Sequence, residues 1–63
     1  MTKNERRDAA IRESREAARE YARQYRTTAI AYYQEHSGRW FVREACDPRP
    51  DAAEELGRVV PQV

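Results

Sequence analysis

Arg26-Thr27-Thr28-Ala29-Ile30-Ala31-Tyr32-Tyr33-Gln34-Glu35-His36-Ser37-Gly38 is the stretch that decides the fold. Everything before it reads as helix, and the question is where that helix stops. Thr2-Lys3-Asn4-Glu5 fits a capping box, in which the Thr2 hydroxyl accepts from the Glu5 amide. Asp8 adds negative charge near the positive end of the helix dipole. No glycine or proline occurs before Gly38, and Ala, Arg, Glu and Gln are all good helix formers. Thr27-Thr28 is the weakest local stretch, because β-branched side chains lose rotamer freedom in a helix. Ser37-Gly38 supplies a stop, with His36 in the last turn and Gly38 suited to a left-handed conformation. The local signals therefore predict one helix over residues 2–37. It would be roughly 50 Å long, too long for a compact chain of 63 residues.

Downstream, Arg39-Trp40-Phe41-Val42 favours a strand by propensity. With the helix extended to residue 37, no second strand remains to pair with it. The expectation is a short helix over residues 39–47, ending before Pro48. Residues 48–50 read as a proline linker. Asp51, with Glu54 three residues on and Gly57 beyond, predicts a third short helix over 51–57. Residues 58–63 form a tail rich in valine. Ala52-Ala53-Glu54-Glu55-Leu56-Gly57 is similar to the first helix and turn of a helix-turn-helix. The recognition helix has no counterpart, since the segment after Gly57 is short and interrupted by Pro61. The predicted fold is all-α: a single small domain over residues 1–63, a helical hairpin assembling as an oligomeric bundle.

At 100° per residue, Ile11, Ala18, Tyr21, Ala22, Tyr25, Ala29 and Tyr32 share one face, with Ser14 and His36 on its line. The short C-terminal segment covers only part of such a stripe, so a second copy is expected to cover the rest. Antiparallel coiled-coil pairing centred between Tyr21 and Ala22 sets Ala18 against Tyr25 and Ile11 against Tyr32, matching small with large. These seven residues are the expected self-association surface of an antiparallel homodimer or higher oligomer.

Arg12, Arg15, Arg19, Arg23 and Arg26 form a second face that could follow phosphates. Asp8–Arg12, Arg12–Glu16, Glu16–Arg19 and Glu20–Arg23 are within side-chain reach, so this face is expected to be largely self-neutralised. Residues 1–26 carry eight Lys/Arg against five Asp/Glu, but the whole chain is only +1. Nucleic acid is thus the second choice of partner. Tyr33 lies off the Ala/Tyr stripe and is expected to be exposed. Trp40 and Phe41, beside Arg39 and Arg43, are the best anchors for an unidentified protein partner.

Cys46 and His36 are too few for a four-coordinate zinc site. Cys46 beside Asp47 has no cationic neighbour to favour its thiolate. No nucleophile–base pairing, glycine-rich loop or spaced carboxylate pair points to catalysis. No cofactor is expected. No apolar run is long enough for a leader or a membrane span, and the lone cysteine implies no disulfide scaffold, so a cytoplasmic protein is expected. The preference for arginine over lysine, with many alanines, points to a GC-rich bacterial or phage genome. The expected role is a non-enzymatic accessory or regulatory interaction module. The alternatives are a nucleic-acid-binding regulator and a structural assembly subunit.

Overall fold

A computed structural model describes residues 2–61. Helix α1 spans Lys3–Tyr25, and its start follows the sequence: the Glu5 amide donates to the Thr2 hydroxyl at 3.2 Å. Its end does not. Arg26 takes a left-handed conformation (φ 52°, ψ 48°) and its amide donates back to the Ala22 carbonyl. The Thr27 amide converges on the same carbonyl at 3.2 Å. The helix thus stops at the β-branched pair, well before Gly38. At 23 residues it is about 34 Å long, which fits the 38 Å long axis of the molecule.

The next residues form strands: β1 (Ala29–Gln34), β2 (Arg39–Glu44) and β3 (Glu54–Val59). They make one antiparallel sheet in the order β2-β1-β3. The all-α expectation is therefore overturned, along with the helical hairpin and the coiled coil; the fold is α+β. The predicted helices 39–47 and 51–57 are also corrected. Arg39-Trp40-Phe41 does have a partner strand, Gln34-Tyr33-Tyr32, which the overlong helix had absorbed. Asp51 and Ala52 form a turn rather than a helix start, with Ala52 at φ 56°. Of the predicted tail, Arg58 and Val59 complete β3, and Gln62 and Val63 lie outside the described residues.

The β1–β2 ladder has a definite phase. The Ala45 amide donates to the Thr28 carbonyl at 2.9 Å, one step beyond the Ala29–Glu44 pair. Antiparallel pairs alternate between bonded and non-bonded. Ile30–Arg43, Tyr32–Phe41 and Gln34–Arg39 are thus the bonded pairs. Trp40, Val42 and Glu44 turn their N–H and C=O groups away from β1, towards the open side of β2. Along β1–β3 the register slips between Ala31 and Tyr32, because Ala31 faces Gly57 and Tyr32 faces Glu55. This bulge inserts Leu56, which would otherwise alternate onto the face opposite Gly57. Leu56 packs instead beside Ala18, Ala22, Ala29 and Ala31.

Both faces of β1 are covered. Helix α1 lies over Ala29 and Ala31, and the small side chains of Ala18 and Ala22 let it approach closely. Ser14 is fully buried in this layer and its hydroxyl donates to the Ile11 carbonyl. The opposite face carries Ile30, Tyr32 and Phe41, with Ala53 packed on them. Strands β2 and β3 run parallel to each other on either side of β1, so the connection between them must travel the length of the sheet. Residues 45–53 do so across the face that α1 leaves free. Nine extended residues reach about 30 Å. A six-residue strand and two strand spacings require roughly 22 Å on the diagonal, so the strap spans the sheet with room for its turns at residues 45–46 and 51–52. Pro48 and Pro50 fix its φ angles.

Candidate interaction surface

The residues singled out in the sequence are redistributed by the sheet. Ala18, Ala22 and Ala29, three of the seven expected self-association residues, form the core between α1 and β1 and are essentially inaccessible. Tyr32 belongs to the other face of the sheet, packed with Ile30 and Phe41. A continuous helical stripe from Ile11 to Tyr32 does not exist. The chain's own sheet covers what a second helix was expected to cover, and the antiparallel helix pairing centred on Tyr21–Ala22 is withdrawn. Tyr25 stays exposed at the end of α1, its ring centroid 4.6 Å from that of Tyr21. Ile11 is half-buried on the flank. Tyr33, expected at the surface, is only 3% exposed, since β1 is the central strand.

Trp40 and Phe41 take opposite faces of β2, as neighbours on a strand must. The Trp40 indole N–H donates to Glu13 of α1 at 3.1 Å. Phe41 stacks on Tyr32, with ring centroids 5.6 Å apart. The Arg43 guanidinium lies 5.5 Å from the Phe41 ring centroid, within cation–π range. Both rings are half-buried, while Arg39 and Arg43 are exposed. The four residues named as anchors therefore share one edge strand. Phe41, Arg39 and Arg43 share its outer face, and Trp40 fills the gap between strand and helix. The sequence pointed to these side chains but not to the backbone groups of Val42 and Glu44. The signal for those was the strand propensity of Trp40-Phe41-Val42, which gains meaning only once a partner strand is present.

Glu44, at the end of β2, accepts from the Tyr21 hydroxyl and from the Cys46 thiol, each at 3.2 Å. Burial, and then the bond to Glu44, raise the Tyr21 pKa. The bond to Glu44, and then burial, push the Cys46 thiol up, which disfavours its thiolate at neutral pH. His36 lies in the exposed β1–β2 turn. Among the described residues no three His, Cys, Asp or Glu side chains are grouped to hold a metal ion. No described helix is long and apolar enough to cross a membrane.

The arginines of α1 lie on the flank next to β3. Arg12, Arg15 and Arg19 line one shallow groove with Asp8, Ile11 and Glu16. Of the four ion pairs expected along the helix, Glu20–Arg23 is the one that forms among the described residues. Arg15 is drawn over β3 instead: a Cβ placed on Gly57 would come within 2.9 Å of its Nε. Arg26 serves as the helix C-cap.

The fold and this edge define a class: a small α+β unit of one helix on a three-stranded sheet, with a regular strand left open. Comparison of the chain with family models, with curated proteins and with solved structures finds no match.

Proposed function

We propose that the chain is a non-enzymatic interaction module that binds a protein partner by strand addition along the outer edge of β2. One observation carries this reading. Trp40, Val42 and Glu44 direct three N–H donors and three C=O acceptors outward along a strand that has no bulge and no proline, and of these the Glu44 carbonyl alone already has a partner, the Asp47 amide. Such a row is a template for an added strand. Phe41, Arg39 and Arg43 alternate beside it, providing an aromatic anchor and two cations to select the incoming sequence.

The test is capture of extended hexapeptides from a synthetic library by the immobilised chain. Val42→Pro removes the central outward donor without removing a bond to β1. Binders lost on Val42→Pro, and weakened at least tenfold by Phe41→Ala, support the proposal. Binders that ignore both substitutions overturn it.

A second reading, binding of nucleic acid along Arg12, Arg15, Arg19 and Arg23, gains some support because three of the expected neutralising pairs do not form. It requires binding to generic duplex or single-stranded DNA that weakens steeply between about 50 and 200 mM salt. Loss of that binding in an Arg15→Ala, Arg19→Ala double variant, with Val42→Pro unaffected, would favour it over strand addition.

A further inference from the structure

We propose that the strand added to β2 is β2 of a second copy of this chain, antiparallel and centred on Val42, giving a closed dimer with a six-stranded sheet. This rests on strand addition at the β2 edge and names its occupant.

The hydrogen-bond phase restricts the registers. Across the new edge, bonded pairs must be drawn from Trp40, Val42 and Glu44 of both copies, because these alone direct their backbone groups outward. Centring on Val42 bonds Val42 to Val42 of the second copy and Trp40 to Glu44 of the second copy, whose carbonyl then accepts twice, from its own Asp47 amide and from Trp40. It sets Phe41 opposite Arg43, and Arg39 opposite Ala45, in the non-bonded positions. No like charges then stand directly opposite each other on the two strands. A shift one way puts Arg39 opposite Arg43; a shift the other way puts Arg43 opposite Arg43. Like charges directly opposite are destabilising. The frame with the fullest overlap is therefore the one that sets no like charges directly opposite.

The same frame extends contacts that one copy already makes. Arg43 lies near the face of its own Phe41. Across the two-fold it meets Phe41 of the other copy, so each ring is flanked by two guanidiniums. On the helix side, Trp40 lines an open groove with Arg6, Ala9, Glu13 and Gly38. That groove lies next to the edge, where Glu44 of the second copy would close it. The opposite edge of the sheet cannot serve in the same way, because the β3 bulge and Pro61 break its regularity. Pairing of β2 with β2 is isologous and stops at two.

Sedimentation equilibrium and cysteine cross-linking test the proposal, with Cys46→Ser as background for the cross-linking. The wild-type chain should sediment near twice its 7.4 kDa mass. Val42→Pro should sediment as a monomer with an unchanged far-ultraviolet spectrum. Arg39 and Ala45 are both exposed in one copy. Under mild oxidation, Arg39→Cys mixed with Ala45→Cys should give the heterotypic disulfide. Arg39→Cys alone should not cross-link to itself. This arm needs no proline, so it decides the matter even if Val42→Pro fails to fold.

A wild-type monomer at about 0.1 mM, where contacts of micromolar Kd are saturated, overturns the dimer. So does a dimer that Val42→Pro leaves intact, or self-cross-linking of Arg39→Cys that outruns the mixed product. If the chain is monomeric but still captures hexapeptides in a Val42-dependent way, strand addition stands and the second copy is excluded. If it is monomeric and capture ignores Val42→Pro, both readings fail.

Discussion

The two edges of the sheet are built from strands of equal length but opposite character. Strand β2 is regular from Arg39 to Glu44, and among the described residues one of its outward backbone groups is met, the Glu44 carbonyl, which accepts from the Asp47 amide at 3.1 Å. Strand β3 is bulged at Leu56, thinned at Gly57, overlaid by Arg15 and followed by Pro61. A bulge, an overlying cation and a proline are the devices that blunt an edge against unwanted pairing. The chain concentrates them on one side. A three-stranded sheet with both edges open would add strands without limit. With one edge blunted, the proposed association would be confined to the other. The proposed strand addition at β2 rests on this contrast in backbone rather than on any single side chain.

The sharpest way to break the contrast is to place proline at adjacent positions of β2. Phe41 directs its amide at β1, whereas Val42 directs its amide outward. Phe41→Pro removes a ladder bond, leaves the Tyr32 carbonyl without its donor and deletes a ring stacked on Tyr32. The expected cost is about 3–5 kcal/mol, enough to unfold so small a domain. Val42→Pro keeps every bond to β1 but gives up part of the Val42 packing against Ala18, Ala22, Ala29 and Ala31, so it should cost less, about 1–2 kcal/mol, and remain folded. Circular dichroism and thermal melts of the two variants check this. Equal destabilisation would mean that the ladder phase is wrong.

Deleting Leu56 comes next in size. It removes the bulge and makes the β3 edge as regular as β2, while forfeiting the burial of one leucine. A loss of about 2 kcal/mol, or roughly 8–16 °C in Tm, should be accompanied by species larger than the wild-type assembly on size exclusion. A variant that is less stable but no more prone to associate would show that the bulge serves core packing alone.

The contrast between edges was hidden in the sequence because the central strand imitates a helix. Ala29 to Tyr33 is buried on both faces, so it lacks the two-residue alternation that marks a half-buried strand. Its alanines favour helix, and the αL residue that ends α1 is an arginine, not a glycine. Two signs of the true boundary were legible: the weak Thr27-Thr28 pair, and a predicted helix too long for the chain. Once β1 was lost, β2 had no partner, and Trp40-Phe41-Val42 was forced into a helix against its propensity. The Asp51–Glu54 spacing was misleading in the same way, because the strap turns at Asp51-Ala52 and Glu54 goes to Arg7. The helix start was legible because capping is local. The anchors on β2 were legible as residue types, but their outward backbone groups depend on a pairing that local signals cannot supply.

Gly57→Ala probes the guarded edge more gently. A methyl group there displaces the Arg15 guanidinium, the mobile end of a long side chain. The strand gains a little from losing glycine, so the net change in stability should stay within about 1 kcal/mol. The readout is local. The Arg15 Nε–H resonance should shift, and the outward amides of β3 should exchange faster, while those of β2 keep their wild-type rates. If β3 exchange is unchanged, Arg15 is not what shields that edge.

The smallest effect concerns the ion pair that ties the start of β3 to the helix. Arg7 grips Glu54 through both guanidinium nitrogens. This bond, and the charge of Arg7, outweigh burial and hold the Glu54 carboxyl below its ordinary value of 4.5. A carboxyl with a depressed folded pKa binds fewer protons when folded than when unfolded. Its contribution is therefore complete above the unfolded value and is lost as the pH falls through the folded one. Both partners are well exposed, so solvent screens the pair. Glu54→Gln should lower Tm only slightly near pH 7, and the two melts should coincide near about pH 2. Added salt should shrink the neutral-pH difference. The association of β2 should be unaffected throughout, because Glu54 belongs to the opposite edge. A Glu54→Gln chain that lost association while keeping its melting temperature would show that the two edges are coupled and not independent.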